Sequence, residues 1–294
     1  MATAPDFKQQ LTGVFGQPVR ENPSQPMVEA AYRHHRLPWR YLTIEVAPAD
    51  LGAAVAGARA MGFRGFNCTI PHKVAVIPHL DALGASANLM GAVNCVVAQG
   101  GRLVGENTDG QGFVQALRRQ RDPAGAKVVI LGAGGAARAI AVELALSGAR
   151  ELIIVNRGGE RLVGLVDLLR ERVRISCTGV AWAGAYAIPA DAEVVVNATS
   201  IGLFPDLTSC PAVVEESLTP AMVVADVVPN PPRTRFLRAA AARGCRTIDG
   251  LEMLVAQGSI GIRHWTGIEP DASVMREALE AIFAPGTREQ AAGG

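Results

Sequence analysis

Short, unbroken apolar runs recur along the chain, spaced by longer stretches in which apolar residues alternate irregularly with small and polar ones. The clearest example is KVVILGAGGAARAIAVELALSGARELIIVNR, residues 127–157. Val128 to Leu131 is apolar throughout but too short for a helix, and a glycine cluster follows it. An Ala-rich stretch then runs to Ser147-Gly148 before a second apolar run, Leu152 to Val155. Such runs read as buried strands, and the intervening stretch as a helix stopped at its glycine. The segment is predicted to be strand, helix, parallel strand.

The pattern repeats downstream in EVVVNATS (193–200) and MVVADVV (222–228), the latter followed by helical TRFLRAAAARG. A parallel sheet covered by helices is implied. Upstream, RYLTIEV (40–46), helical ADLGAAVAGARAMG (49–62) and RGFNCTI (64–70) repeat the logic and predict a separate sheet. TDGQGFVQALRRQ (108–120) reads as a helix linking the two units, and SVMREALEAIFA (273–284) as a last amphipathic helix before a tail, PGTREQAAGG, expected to fray.

The 294 residues suffice for one large or two ordinary domains. A net charge of +1, from 28 basic and 27 acidic residues, gives no field suited to nucleic acid or an anionic membrane, so a small-molecule partner is expected. Five scattered cysteines form no C-x-x-C pair, which argues against a disulfide framework and for a reducing cytoplasm. The five histidines lack zinc-site spacing, so no metal is expected. The start MATAPDFKQQ has no leader pattern, and no apolar run approaches the roughly 20 residues of a membrane span.

GAGGAA, comprising Gly132, Ala133, Gly134, Gly135, Ala136 and Ala137, matches G-x-G-x-x-G/A between a strand and a helix. Gly132 permits the tight turn, Gly134 lets backbone approach a pyrophosphate, and Ala137 allows close helix packing. The second strand ends in Asn156-Arg157, where an NAD site would usually carry an acidic residue. Arg157, with Arg161 a turn on, favours the 2′-phosphate of NADP.

Only Lys8, Lys73 and Lys127 are lysines, and Lys73 closes FNCTIPHK (66–73). Pro71 ends the strand, which puts Lys73 just beyond it, where α/β proteins place chemistry. A surface lysine is the plain alternative. GENTDGQGF (105–113) supplies Asp109, which either caps the following helix or, brought to Lys73, makes a general acid/base pair.

GVFGQPV (13–19), FNCTIPHK, GAVNCVV (91–97), GENTDGQGF, GAGGAARA, NATS (197–200) and DGLEMLVAQG (249–258) together resemble the ordered motif set of the shikimate dehydrogenases. The resemblance implies an α/β enzyme of two domains. Residues 1–110 and 250–294 would form a substrate-binding catalytic domain, and 111–249 a Rossmann-type, doubly wound NADP domain. It further implies NADP-linked interconversion of a ring alcohol and ketone, shikimate and 3-dehydroshikimate in the typical member, within aromatic amino acid biosynthesis. By this likeness Lys73 and Asp109 are the catalytic pair. Asn22, Ser24, Thr69, Asn94 and Gln257 match substrate ligands, and Asn197, Thr199 and Met253 line the nicotinamide end. Cys68 reads as a small buried hydrophobe.

The resemblance departs at the substrate carboxylate. The family's His-Ser-x-Ser-Pro is here ENPSQ, so Asn22 replaces the first serine, and Pro229 stands where a tyrosine is usual. Gly158 stands where many members have threonine. Shikimate, quinate, an amino-substituted shikimate and a carbocyclic polyol without a carboxylate all remain open as substrates. So do a monomer or a homodimer, and a non-catalytic sensor; a folate-linked dehydrogenase would not account for NTDG and DGLEML.

Overall fold

The computed structural model describes residues 7–283; MATAPD and the tail PGTREQAAGG, on which a missing leader and fraying were read, lie outside them. The chain is α/β and divides into two compact units. One holds the chain up to Thr108 and from Gly258 onward; the other is Asp109–Gln257.

The first unit contains β1 (Gln10–Gly16), α1 (Ser24–His34), β2 (Trp39–Glu45), α2 (Leu51–Ala60), β3 (Gly65–Cys68), α3 (His72–Ala75), β4 (Ala82–Leu83), α4 (Ala85–Met90), β5 (Cys95–Gln99) and β6 (Arg102–Glu106). Its sheet has the order β2-β1-β3-β5-β6-β4 and is mixed: β1 pairs parallel with β2 and β3, whereas β3-β5 and β5-β6 are antiparallel. Gly100 and Gly101, both at positive φ (56° and 81°), supply the turn of the β5-β6 hairpin, a geometry side chains resist. Leu51, Val55 and Ala58 recur at helical spacing on α2 and are buried with the stacked rings of Phe15 and Phe66, 4.4 Å apart. Each large side chain so buried stabilises the unit by about 1.5–3 kcal/mol.

After α5 (Thr108–Arg118), the second unit runs β7 (Lys127–Leu131), α6 (Gly135–Leu146), β8 (Glu151–Asn156), α7 (Glu160–Asp167), β9 (Ser176–Ala181), β10 (Val194–Asn197), β11 (Val223–Asp226), α8 (Arg235–Ala242) and β12 (Arg246–Ile248). α9 (Gly250–Thr266) and α10 (Ala272–Phe283) complete the chain, the unit boundary falling within α9. The sheet order β12-β11-β10-β7-β8-β9 is parallel throughout. The winding reverses between β7 and β10, which opens a crevice at their C-terminal ends, the usual ligand position in such sheets.

Lys73, expected just beyond the strand, lies in the one-turn helix α3 directly after Pro71. TDGQGFVQALRRQ is helical from Thr108 to Arg118, as its pattern predicts. α5 starts at Thr108, and a Cβ on Gly112 would sit 2.6 Å from the Gln257 backbone nitrogen, while one on Gly110 would strike the carbonyl of Ala139. Both are glycine so that α5 packs closely on α6 and α9.

Candidate active site

A cavity of about 490 Å³ opens at the crevice of the parallel sheet. Gly132, Ala133 and Gly134 form one wall. Gly132 has φ +107°, and a Cβ there would lie 2.9 Å from Thr199 Cγ2 and 3.1 Å from the Ala198 carbonyl. Positions 134 and 135 meet nothing within 4 Å, so the space over the α6 N-terminus is open. No side chain caps that end, which leaves its N–H groups free to bind an anion. Ala137 is fully buried, as close packing of α6 requires.

Arg157 and Arg161 line the same cavity beyond the end of β8. Between them the chain turns through Gly158 (φ 92°) and Gly159 (φ 82°), and the Asn156 amide donates to the Gly158 carbonyl at 3.2 Å. A threonine at 158 would be strained in this turn, which explains the glycine. The donor set fits a 2′-phosphorylated dinucleotide: free helix N–H groups, an open glycine cradle and two guanidinium groups.

Thr199 also lines the cavity, whereas Asn197 is fully buried behind it. Asn197 Oδ1 accepts from the Thr199 hydroxyl (2.6 Å) and backbone N–H (3.1 Å). Gly135, Ala136 and Met253 are not among the lining residues; Met253 is half-buried in the first turn of α9. Sequence reasoning missed Trp182, Gly184, Ala198, Ser200, Ile201, Cys210 and Ala212. The Trp182 indole donates to the Ala212 carbonyl at 3.0 Å, and its backbone N–H to the Asn156 carbonyl at 2.8 Å, which holds its ring at the cavity wall. Only an unusual tryptophan after a strand signalled it.

In the first unit, Lys73 is half-buried on α3. Its helix is anchored by His72, which is fully buried and reaches the Val46 carbonyl through Nε2 at 2.8 Å. The Lys73 carbonyl accepts from Val93 N at 2.7 Å, which fixes the backbone. Burial pushes the Cys68 thiol up to about 12, despite the opposing charge of Lys73, so it stays protonated and non-nucleophilic at neutral pH.

Asn94 is buried between β3 and α5: its amide donates to Thr108 Oγ1 (3.0 Å), and its Oδ1 accepts from Thr108 N (2.6 Å). It thereby holds the start of α5, whose first turn carries Asp109. Asn22 Oδ1 accepts from Ser24 N at 2.9 Å, an Asx turn that leads into α1. Ser24 is buried. The Tyr41 hydroxyl donates to Asn67 Oδ1 at 2.7 Å. The Asn67 amide donates to the Asn94 carbonyl at 2.9 Å. Tyr41, Asn67, Asn94 and Thr108 thus form one chain of uncharged polar groups. Thr69 follows β3, and its backbone N–H donates to the Phe15 carbonyl at 2.9 Å. Gln257, in the second unit, donates to the Leu254 carbonyl at 3.0 Å.

Among the described residues no cluster of His, Cys, Asp or Glu could hold a metal ion, and no helix is long and apolar enough to cross a membrane. Family models for the shikimate dehydrogenase substrate binding domain, shikimate / quinate 5-dehydrogenase and the shikimate 5′-dehydrogenase C-terminal domain match residues 14–96, 115–203 and 250–280. A shikimate dehydrogenase (NADP(+)) of Desulforamulus reducens is 41% identical over 95% of this chain and 97% of its own. The ligand-free crystal structure of 5-ketofructose reductase of Gluconobacter sp. strain CHM43 is 50% identical, with a TM-score of 0.93 over 95% of this chain and 100% of that one. Shikimate 5-dehydrogenase of Thermus thermophilus, in complex with NADP(H) and shikimate, is 34% identical, with a TM-score of 0.79 over 93% and 99%. Three models in order along the chain and relatives of this identity over nearly its whole length have one meaning: the chain belongs to the shikimate dehydrogenase family.

Proposed function

We propose that this chain is an NADP-dependent oxidoreductase that interconverts a ring alcohol and its ketone, shikimate and 3-dehydroshikimate in the first reading. The observation that carries the cofactor is the glycine-walled cavity with Arg157 and Arg161 at its rim. Membership of a family whose curated relatives are named shikimate dehydrogenase (NADP(+)) carries the reaction. Bound NADP(H) supplies the hydride. Lys73 holds the proton: its ammonium stabilises the negative charge that develops on the carbonyl oxygen and protonates it, and in the reverse direction the amine takes the hydroxyl proton. Asp109 is the carboxylate proposed to keep that lysine oriented and charged. Ser24, Asn22, Thr69, Asn94 and Gln257 are the proposed substrate donors and acceptors, groups suited to hydroxyls because they both give and accept hydrogen bonds. Asn94 also fixes Thr108 at the start of α5 through both ends of its amide. Five free cysteines fit a reducing cytoplasm.

A second reading is favoured by one specific observation. The 50% identical relative is named for an uncharged ketose, and here the residues expected at a carboxylate are Asn22, a longer amide in place of a serine hydroxyl, and donorless Pro229. The alternative substrate is a polyhydroxy ketone with no carboxylate. Steady-state assays with NADP(H) and NAD(H) against shikimate, quinate and uncharged polyols or keto-sugars separate the two. The highest kcat/KM for shikimate sustains the first reading; turnover of uncharged substrates alone replaces it with the second; reaction with none, in either direction, sinks both.

A further inference from the structure

The turn that carries Thr199 to the cavity hangs from a buried polar chain, and the chain ends in a carboxylate that no role above employs. Asn197 and Asp226 close β10 and β11 and are partners in the sheet register. Asn197 Nδ2 donates to Asp226 Oδ1 at 3.0 Å. The same oxygen accepts from Val228 N at 3.0 Å, and Oδ2 accepts from Thr234 Oγ1 at 2.7 Å, the residue that caps α8. Asn197 and Asp226 are at most 2% exposed.

An ionised carboxylate only accepts hydrogen bonds, so it dictates which end of the Asn197 amide faces it. With the NH₂ drawn to Asp226, Oδ1 must face Thr199, where it takes both the hydroxyl and the backbone N–H. The Thr199 hydroxyl, its proton spent on Asn197, then accepts from Ile201 N at 3.1 Å and closes the turn. The Asn197 NH₂ also donates to the Ile201 carbonyl at 3.3 Å, so without the carboxylate only that longer bond and the Thr199 N–H hold the amide, and the flipped form sets NH₂ against N–H. Thr199, Ser200 and Ile201 line the cavity, and Thr199 stands opposite Gly132.

We infer that Asp226 is a positioning residue for the dinucleotide, acting through the orientation of Asn197 on the turn 199–201. Burial raises the carboxyl to about 6, against the opposing pull of its three donors, so near neutral pH the ion is kept where an apolar residue would cost less. The inference rests on the cavity taking NADP(H), and it goes beyond that reading in naming what holds the cavity's inner wall.

The test is NADPH titration of the full chain, followed by nicotinamide fluorescence, with melting temperature measured beside it. Asp226→Ala and Thr199→Val are each expected to weaken binding by about 10-fold, and the double variant by no more than the larger single effect, because both break one relay. Asp226→Asn should stay within about 3-fold of wild type, since its oxygen still accepts from Asn197 and its NH₂ can donate to Thr234. Should Asp226→Ala fail to fold, Asn197→Asp keeps the side-chain volume, sets two carboxylates together, and is expected to lose at least about 10-fold. Lower melting temperature with unchanged NADPH affinity in Asp226→Ala or Asn197→Asp, or effects that multiply in the double variant, overturns the relay alone. A wild-type protein that binds neither NADPH nor NADH overturns the nucleotide reading and the relay with it.

Discussion

Replacing Arg157 and Arg161 together with glutamine removes both guanidinium groups at the rim of the cavity and leaves its glycine wall intact. A hydrogen bond to a charged group contributes about 1.5–3 kcal/mol when well shielded. Both arginines are exposed, so solvent screening leaves about 1 kcal/mol each, or ~2 kcal/mol together. That corresponds to roughly a 30-fold rise in the Kd for NADPH. NADH lacks the phosphate those groups would meet, and its Kd should move by less than about 2-fold by the same reasoning. Isothermal titration of both cofactors at low and high salt measures the difference, and the wild-type preference for NADPH should shrink as salt screens the rim. Equal weakening of NADPH and NADH, or no weakening of either, would refute the assignment of these arginines to the 2′-phosphate.

Gly132→Ala forces a side chain into φ +107° and against Thr199; it should cost about 1–3 kcal/mol of stability and abolish measurable NADPH binding, read by thermal unfolding and titration. NADPH should quench much of the tryptophan emission, and Trp182→Phe should remove most of that quench, because among the three tryptophans Trp182 lines the cavity. Asp226 titrates in the fold at about 6 against an ordinary 3.8, so the stability its protonated form brings is fully present below pH 3.8 and is lost as pH rises through about 6. The unfolding free energy of wild type relative to Asp226→Asn should therefore fall by about 2–2.5 kcal/mol from pH 4 to pH 7 in denaturant titrations; a flat difference would contradict the burial argument.

The parallel sheet was legible because its strands are buried on both faces: β7, β8, β10 and β11 are nearly continuous apolar runs, and the glycine turn sits between a strand and a helix as the phosphate motif demands. β9, an edge strand written SCTGVA, carries too many polar positions to stand out, and β4 is only two residues long. The β5-β6 hairpin did leave a signal, Gly100-Gly101 between two β-prone runs, though the mixed order of its sheet left none. At the cavity, Gly132, Gly134, Arg157 and Arg161 lie on contiguous motifs, whereas Asp226 depends on strand register. Asp226 meets Asn197 across 29 positions of sequence and Thr234 across eight, and only the sheet brings the three together. α9 hid for another reason: LEMLVAQGSIGI is apolar nearly all round, so it shows no helical stripe.

The account turns on Lys73 as the group that handles the proton during NADP-linked reduction. The decisive measurement is kcat for the best substrate of the panel in wild type and Lys73→Ala, with the NADPH Kd of both determined on the same preparations. The account predicts that the variant binds NADPH as wild type does while kcat falls by about 10²–10⁴-fold. A variant that turns over at close to the wild-type rate would contradict it.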